Sequence, residues 1–356
     1  MGQMLLDRNE NQYGPAPTCY EVLQKANLEQ LSLYSRWYTA GKKSELSEWL
    51  SRKIGIPEHR VLLSYGSEDM LKQVVHCYLH AGETMLLPQQ SWWYYKSVAA
   101  EVLANHIAYP LHARNGQFEY DLDEIIRLYE VHRPQIILIA SPNNPTGNSI
   151  HPDTLNAFVD HCTSAVIVLD EAYYGFSGEH NDHLKGLLAS HKKIVVLRTF
   201  SKYYALAGLR IGYACAGEDL HQIITYSARY LGYNQLSEKI ALAALEEGTY
   251  YQRISSQIQK DKQMYYRELG AFEGFTAFLS DANFILVRYP LQQKKNLQEA
   301  LLQRKIVLKF LDDPGLSDCM RITIGTSEQN AYVIASLQDI VDQSSTPSPR
   351  IPLAHL

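Results

Sequence analysis

Three apolar, β-branched runs of the sequence are each followed by polar residues that could do chemistry. Asn144, Asp170 and Lys202 stand just behind the first, second and third run. The carboxyl ends of parallel strands meet at one edge of a sheet, where ligands of α/β proteins bind. The sequence therefore predicts an amide, a carboxylate and an amine close together at such an edge.

Each of these residues also has an ordinary explanation. Asn-Pro-Thr-Gly at 144–147 is a serviceable turn, Asp170 could cap a helix, and a lysine behind a strand is usually a solvated surface residue. A ligand bound by all three residues explains their position at one edge of the sheet better than chance does. A pyridine ring with a phosphate arm and an aldehyde needs such a set of partners.

The phosphate of such a ligand would need several donors. Gly66, Ser67 and Glu68 stand at the start of a predicted helix, where free backbone N–H groups and the helix dipole favour an anion. The acidic side chain of Glu68 would have to point away from it. Ser201 and Arg210 add a hydroxyl and a guanidinium group.

Helix and strand patterns alternate along the first two thirds of the chain. Ser44 predicts the start of a helix that ends at Gly55, and Ser67 could cap a second one. The predicted strands are short runs that are apolar on both faces: 84–87, 136–140, 165–169, 194–197 and 211–215. This pattern predicts a large α/β domain whose central sheet is mostly parallel.

The last third predicts a smaller α+β domain. Helical patterns dominate 219–270, and strands at 283–288, 306–310 and 320–324 then mix with helices near 295–304 and 328–342. We expect four segments: an N-terminal arm at 1–30 that joins the small domain, a large domain at 31–245, a small domain at 246–343 and a flexible tail at 344–356.

The composition is that of an ordinary globular protein. The 356 residues are 46% hydrophobic and 20% charged, with a net charge of −5. No basic run is long enough to follow a nucleic-acid backbone, and the longest apolar stretches have the length of strands. We therefore expect neither nucleic acid nor membrane as a partner. Five scattered cysteines without a C-x-x-C pair favour the reducing cytoplasm.

Other motifs give no competing prediction. His76 and His80 stand four residues apart on a predicted helix, but no third ligand is evident, so we expect surface histidines and no metal. The Gly-x-Gly-x-x-Gly, Walker and Gly-x-Ser-x-Gly patterns are absent from the sequence. Dinucleotide, nucleoside-triphosphate and serine-hydrolase chemistry are therefore not indicated.

Four motifs, in this order, resemble one enzyme family. They are Ser-Pro-Asn-Asn-Pro-Thr-Gly at 141–147, Asp-Glu-Ala-Tyr at 170–173, Thr-Phe-Ser-Lys at 199–202 and Ala-Gly-Leu-Arg at 207–210. Together they resemble the aminotransferases of fold type I, which depend on pyridoxal 5′-phosphate. Within these the chain is most similar to the histidinol-phosphate aminotransferase branch, and the likeness extends over 9–326.

The resemblance implies a role for each residue at the strand ends. Lys202 would carry the aldehyde of the cofactor as a Schiff base and later act as the base at the substrate Cα. Asp170 would pair with the pyridine nitrogen and so keep the ring an electron sink. Tyr173 and Asn144 would donate to the phenolate oxygen of the ring and lower the proton affinity of the imine.

The same resemblance implies further cofactor contacts. Trp92 stands where relatives stack an aromatic side chain on the ring, although 92–95 could also be an aromatic core cluster. Tyr38 would reach the phosphate from a second subunit, which implies a homodimer with shared active sites. The expected catalytic residues are Lys202, Asp170 and Tyr173, and the other expected cofactor residues are Gly66, Ser67, Glu68, Trp92, Asn144, Ser201, Arg210 and Tyr38.

Four residues are expected to contact the substrate. Arg321 would bind the anionic group on the Cα side with its planar fork, although a structural salt bridge is the alternative. Glu10 and Tyr13, on the arm, would lie over the substrate side chain. Lys309 stands where relatives that use histidinol phosphate usually carry Arg. Because lysine keeps the charge but loses the fork, phosphate binding should be weaker.

These observations predict a cytoplasmic enzyme that transfers an amino group in a ping-pong reaction, by default from histidinol phosphate to 2-oxoglutarate. Three alternatives stay open: a paralogue that acts on another amino acid (an aromatic one or the precursor of a secondary metabolite), a decarboxylase or cyclase on the same cofactor site, and a non-catalytic cofactor-binding protein. The presence of Lys202, Asp170 and Arg210 argues against the last of these.

Overall fold

A computed structural model describes residues 2–177 and 183–345 of the chain. Its strands are β1 (Met4–Leu6), β2 (Val61–Ser64), β3 (Thr84–Pro88), β4 (Asn105–Tyr109), β5 (Leu111–Arg114), β6 (Gln117–Tyr120), β7 (Ile136–Ala140), β8 (Val166–Asp170), β9 (Ile194–Thr199), β10 (Gly212–Ala216), β11 (Thr276–Phe278), β12 (Phe284–Arg288), β13 (Ile306–Phe310) and β14 (Cys319–Thr323). Its helices are α1 (Pro17–Gln24), α2 (Glu45–Ile54), α3 (Ser67–Tyr78), α4 (Tyr94–Glu101), α5 (Leu122–His132), α6 (Pro152–His161), α7 (Leu184–Ser190), α8 (His221–Tyr226), α9 (Gln235–Glu246), α10 (Gly248–Leu269), α11 (Lys294–Gln303) and α12 (Ser327–Ser345).

The large sheet has seven strands in the described residues, in the order β2-β10-β9-β8-β7-β3-β4. β10 runs antiparallel to β2 and β9, and the other neighbouring strands are parallel. β7, β8 and β9 lie in the middle and are buried along their whole length. They are the strands that the sequence predicts in front of Asn144, Asp170 and Lys202. The predicted α/β fold with a mostly parallel sheet is therefore confirmed.

The central strands point their side chains alternately into two hydrophobic cores. In β7, Ile137 and Ile139 pack in one core, whereas Ile136 and Leu138 pack in the other. Helices α2, α5 and α6 contribute to the first core, and α3 and α4 to the second. A parallel strand is buried on both faces when helices cover both sides of its sheet. This is why these strands read as uninterrupted apolar runs.

A second sheet lies in the C-terminal third and takes in the beginning of the chain. Its order in the described residues is β1-β13-β14-β12-β11, with β1 parallel to β13. α10 connects the two sheets, because Tyr251 packs in a core of the large sheet whereas Ile258 and Leu269 pack around the second sheet. Cys19 of α1 also packs in a core of the large sheet. The domain limits at 30, 245 and 343 stay a prediction.

Two local predictions about helices differ from the structure. Ser44 caps α2 as predicted, and its side chain accepts a hydrogen bond from a backbone N–H of the first turn. Ser67, however, is the first residue of α3, and its N-cap is Gly66, whose φ of 86° favours glycine. α3 ends at Tyr78, so the prediction that His80 lies on this helix is wrong.

The C-terminal end also differs from the prediction. α12 continues to Ser345, so the first two residues of the predicted tail at 344–356 are helical. The rest of that tail lies outside the described residues. Among the described residues, no helix combines the length and the apolar character that crossing a bilayer requires.

Candidate active site

A cavity of about 520 Å³ lies where β7, β8 and β9 end, and residues of the second sheet and of the N-terminal segment complete its wall. Its lining consists of Asp7, Arg8, Asn9, Glu10, Ser67, Glu68, Trp92, Trp93, Tyr95, Pro142, Asn144, Asp170, Ala172, Tyr173, Thr199, Ser201, Lys202, Ala207, Arg210, Lys309 and Arg321. All the predicted site residues are in this set except Gly66, Tyr13 and Tyr38. The fold thus brings residues from eight separate stretches of the sequence to one place.

Lys202 follows β9 and presents its amine to this cavity. Its Nζ donates a hydrogen bond to the backbone oxygen of Arg8 at 2.8 Å and lies 5.9 Å from the centre of the Tyr173 ring. Burial and, secondarily, the positive charge of Arg321 lower the pKa of Lys202 to about 8. Such an amine is partly uncharged near neutral pH, as a nucleophile or a general base must be.

Asp170 is the last residue of β8 and is buried. Its Oδ2 accepts a hydrogen bond from the Tyr95 hydroxyl at 2.8 Å, and its Oδ1 accepts one from the Ala172 N–H at 2.9 Å. Burial outweighs these hydrogen bonds and raises the pKa of Asp170 to about 6. A cationic group beside the carboxylate would favour its charged form, so this position suits a protonated ring nitrogen.

Tyr173 follows Asp170 by one turn and is also buried. Its hydroxyl oxygen accepts a hydrogen bond from Asn9 Nδ2 at 2.8 Å. Burial raises the pKa of Tyr173, so the phenol keeps its hydrogen and can donate it. Asn9 and Tyr95 thus touch predicted catalytic residues, although sequence reasoning gave neither a role. The available signals were the turn-rich arm around Asn9 and the aromatic run that contains Tyr95.

The anion site predicted at the start of α3 faces Arg210. A Cβ at Gly66 would lie 2.8 Å from Arg210 Nη2, so a side chain there would displace the guanidinium group. Nη1 lies 3.5 Å from Ser201 Oγ, and Nη2 lies 3.5 Å from the Tyr65 carbonyl oxygen. These long contacts leave the guanidinium group able to bind an anion. The Glu68 carboxylate lies 3.9 Å from Nη2, so the expectation that it points away is wrong.

Arg321 and Lys309 reach the cavity from the second sheet. They stand directly opposite each other in the β13–β14 register. The buried Arg321 guanidinium donates to Asn144 Oδ1 and to the Asp7 carbonyl oxygen, both of them neutral acceptors. Asn144 thereby keeps its Nδ2 hydrogens as donors. Among the described residues, Arg321 Nε is buried without a hydrogen-bond partner.

Tyr13 and Tyr38 lie away from the cavity, whereas Trp92 lines it and also packs against other aromatic rings. The Tyr13 ring packs against the core of the second sheet. The Tyr38 side chain is 59% exposed, and its ring centre lies 6.0 Å from that of Tyr230. Trp92 lines the cavity, and its ring also packs against Tyr95 with 5.5 Å between the ring centres.

The donor set fits pyridoxal 5′-phosphate. Lys202 offers an amine for the aldehyde, and Asp170 offers a buried carboxylate for the ring nitrogen. Arg210 and the hydroxyl of Ser201 could hold the phosphate. Because residue 66 is glycine, the Arg210 guanidinium group can lie against the N-terminus of α3, where a phosphate oxygen could bind.

The sequence matches the family model "Aminotransferase class I and II" over residues 2–337. The chain belongs to this family. It is therefore a transaminase that depends on pyridoxal phosphate, and the predicted enzyme class and cofactor are confirmed.

Named relatives agree with this assignment. Histidinol-phosphate aminotransferase of Ruminiclostridium cellulolyticum is 32% identical over 341 residues, which are 94% of this chain and 92% of the relative. That of Roseiflexus castenholzii is 30% identical over 338 residues, 94% of this chain and 89% of the relative.

Solved structures show the same fold. Histidinol-phosphate aminotransferase from Sinorhizobium meliloti, in complex with pyridoxal-5′-phosphate, matches with a TM-score of 0.83 at 21% identity, over 96% of this chain and 91% of that one. L-threonine-O-3-phosphate decarboxylase from Porphyromonas gingivalis matches with a TM-score of 0.78 at 18% identity, over 95% and 99%. The predicted transferase fold of type I is confirmed.

Proposed function

We propose that this aminotransferase takes its amino group from an amine that carries a phosphate, with histidinol phosphate as the first candidate, and passes it to an oxo acid such as 2-oxoglutarate. The observation that carries the proposal is the pair of cations, Lys309 and Arg321, in the cavity that contains the Lys202 amine. The relatives at 30–32% identity that bear the name histidinol-phosphate aminotransferase support the same substrate.

The two cations suit an enzyme that handles two anionic substrates in turn. With a phosphate-bearing amine and an oxo acid as substrates, the enzyme would hold a phosphate ester in one half reaction and a carboxylate in the other. The buried Arg321 offers a planar fork that pairs with either group. Lys309 is exposed, so its flexible ammonium group can add a second contact when the anion is the larger, more highly charged phosphate.

The cofactor would be held at both ends. Lys202 would hold its aldehyde, Asp170 its ring nitrogen and Tyr173 its phenolic oxygen, with Trp92 against the ring. Arg210, Ser201 and the first N–H groups of α3 would hold its phosphate. Bound there, pyridoxal phosphate supplies an electron sink for the bond that breaks at the substrate Cα.

The chain itself positions the substrate and moves the proton. Arg321 binds the substrate anion and so orients the Cα–H bond. Lys202, whose pKa is lowered to about 8, takes this proton with its uncharged amine and releases it again within the cavity. Asp170 would stay charged beside a protonated ring nitrogen, because a cationic partner favours the carboxylate.

A panel of amines tests the substrate. Each amine is mixed with the cofactor-loaded enzyme, and loss of the visible absorbance of the cofactor is followed. Histidinol phosphate should react at least roughly tenfold faster than histidinol, which corresponds to about 1.4 kcal/mol from the phosphate contacts. Lys309→Arg should widen this ratio and Lys309→Met should narrow it, because the first adds the fork and the second removes the charge.

Other outcomes of this panel would contradict the proposal. Equal rates with histidinol and its phosphate would show that the cations do not select a phosphate. Preference for an aromatic amino acid would identify a paralogue with another substrate. Release of carbon dioxide without amino transfer to the oxo acid would identify a decarboxylase.

We also propose a cytoplasmic homodimer in which Tyr38 completes the phosphate site of the partner subunit. Tyr38 does not line the cavity of its own chain and lies among exposed apolar side chains. This apolar surface consists of Leu33, Tyr34, Trp37, Tyr38, Tyr230 and Leu231. Contiguous exposed apolar patches mark protein–protein interfaces. All five cysteines are buried and free, as suits a reducing compartment.

Tyr34→Asp tests the dimer. The Tyr34 side chain is 73% exposed in the single chain, so the variant should fold but place a charge in the interface. We expect sedimentation velocity to show monomers and a cofactor titration to show weaker binding, because the partner's Tyr38 is lost. Val131→Asp, at a position that is 62% exposed on α5, is the control. A wild-type monomer with full cofactor affinity would refute this proposal.

A further inference from the structure

Asn9, in the N-terminal segment, is buried and hydrogen-bonded through its backbone to the second sheet. It is 1% exposed, and its φ of 56° lies in the left-handed region that asparagine tolerates better than most residues. Its N–H donates to Thr323 Oγ1 at 3.0 Å, and its carbonyl oxygen accepts from Asn283 Nδ2 at 3.1 Å. Thr323 ends β14, and Asn283 directly precedes β12.

The same surroundings orient the Asn9 side chain. Its Oδ1 accepts a hydrogen bond from the Thr323 hydroxyl at 3.2 Å, and its Nδ2 donates to the Tyr173 hydroxyl at 2.8 Å. In this orientation the backbone N–H, the Thr323 hydroxyl and the amide all have complementary partners. If the Asn9 amide were flipped, its Nδ2 would face Thr323 Oγ1, which already accepts the Asn9 backbone N–H. The Thr323 hydroxyl hydrogen would then lose Asn9 Oδ1 as its acceptor.

Because Tyr173 receives a hydrogen from Asn9, its own single hydrogen must point to another acceptor. Tyr173 lines the cavity, so a group bound there can be that acceptor. We propose that Asn9 is a positioning residue that keeps the Tyr173 hydroxyl hydrogen directed into the cavity, toward the phenolic oxygen of the bound cofactor. This inference rests on the proposed placement of the cofactor and assigns a residue that acts on it through Tyr173.

The hydrogen bond from Asn9 also strengthens Tyr173 as a donor. A hydroxyl that accepts a hydrogen bond is polarised and donates more strongly, by roughly 10–30% per bond in condensed phases. A stronger donor at the phenolic oxygen lowers the proton affinity of the imine that links the cofactor to Lys202. Asn9 therefore influences the pH at which the visible absorption band of the loaded enzyme changes, although it does not touch the reacting atoms.

The test is the pH titration of this absorption band in four proteins: wild type, Asn9→Gly, Tyr173→Phe and the double variant. Glycine tolerates the positive φ of this position, so the variant removes the amide without backbone strain. We expect Asn9→Gly to raise the midpoint of the titration by roughly half a pH unit when Tyr173 is present. The same substitution should leave the midpoint unchanged when residue 173 is phenylalanine.

Two further variants make the result decisive. Asn9→Asp keeps the shape but can only accept, so Tyr173 should turn its hydrogen toward it and the midpoint should rise further. Asn11→Gly is the matched control, because this buried arm residue donates to the Tyr203 backbone oxygen and does not belong to the cavity lining. It should lower thermal stability without moving the midpoint.

The possible outcomes distinguish a wrong role for Asn9 from a wrong cofactor site. A wild-type enzyme that binds the cofactor through Lys202, together with an Asn9→Gly variant of unchanged midpoint, would overturn only the role of Asn9. Equal shifts in the Tyr173 and phenylalanine backgrounds would overturn it as well, because the effect would not pass through Tyr173. A wild-type protein without any visible band in saturating cofactor would refute the proposed cofactor site itself.

Discussion

Asp170→Asn should stabilise the cofactor-free enzyme at pH 8 although it removes a central cofactor contact. Burial raises the pKa of Asp170 from the usual 3.8 to about 6. An acid with a raised pKa in the folded state holds its proton more tightly there than in the unfolded state, so ionisation destabilises the fold. The difference corresponds to about 3 kcal/mol, which the wild type loses as the pH rises from about 4 to about 6.

Asparagine can replace the carboxyl group without loss of its hydrogen bonds. Its oxygen can accept from the Ala172 N–H, and its amide can donate to the Tyr95 hydroxyl once that hydroxyl rotates. We therefore expect the variant to gain up to about 3 kcal/mol over the wild type at pH 8 and nothing near pH 4. Urea unfolding of both cofactor-free proteins at several pH values measures this difference.

The same experiment with cofactor should reverse the order at pH 8. A ligand that binds only the folded state stabilises it by an amount that grows with the logarithm of its affinity, and the wild type should bind the cofactor more tightly. A stability difference between the cofactor-free proteins that does not change between pH 4 and pH 8 would refute the account of Asp170. So would a less stable variant at pH 8.

Three other substitutions test separate parts of the site. Gly66→Ala should weaken cofactor binding roughly tenfold or more, because the new Cβ would meet Arg210. Gly82 has a similar φ but no atom within 4 Å of the position that a Cβ would take, so the control Gly82→Ala should lower only the stability. Cofactor titration and thermal unfolding distinguish the two effects. Arg321→Lys should raise the KM for anionic substrates by roughly tenfold with the cofactor spectrum unchanged, because the fork is lost. Lys202→Ala should abolish the half reaction with every amine, and a variant that still bleaches the visible band would contradict its role.

The strands that position the site could be predicted because their physical signal is local. β7 and β13 have the predicted bounds, and β8 and β9 differ from the predictions by one or two residues. A strand between two helical layers must be apolar on both faces, and this run is visible in the sequence. Asp170 and Lys202 were predicted because each closely follows such a run, whereas the role of Arg321 was implied by the family resemblance.

The short strands β1, β5 and β6 were not predicted, for different reasons. β1 has three residues and is stabilised by its pairing with β13, far away in the sequence. β5 and β6 form a hairpin whose turn, Asn115-Gly116, has positive φ at both residues. Asn-Gly between two short runs is a strong hairpin signal that was available in the sequence.

The supporting contacts of the site could not be read from the sequence. Tyr95 is 75 residues from Asp170, and Asn9 is 164 residues from Tyr173. Neither spacing corresponds to a local pattern, because the contacts arise only when the arm, α4 and β8 come together. The N-cap of α3 was assigned to Ser67 rather than Gly66 because serine is the commoner cap, whereas the close approach of Arg210 is a tertiary constraint.

The central claim is that Lys202 is the amine that carries the cofactor. A lowered pKa alone does not select it, because burial also lowers the pKa of Lys43 and of Lys262 to about 8. Only Lys202 among these three lines the cavity with Asp170 and Arg210. Borohydride reduction of the loaded enzyme, followed by peptide mass spectrometry, should place the cofactor on Lys202 alone. Stoichiometric labelling of Lys262, or of any lysine other than Lys202, would contradict the account.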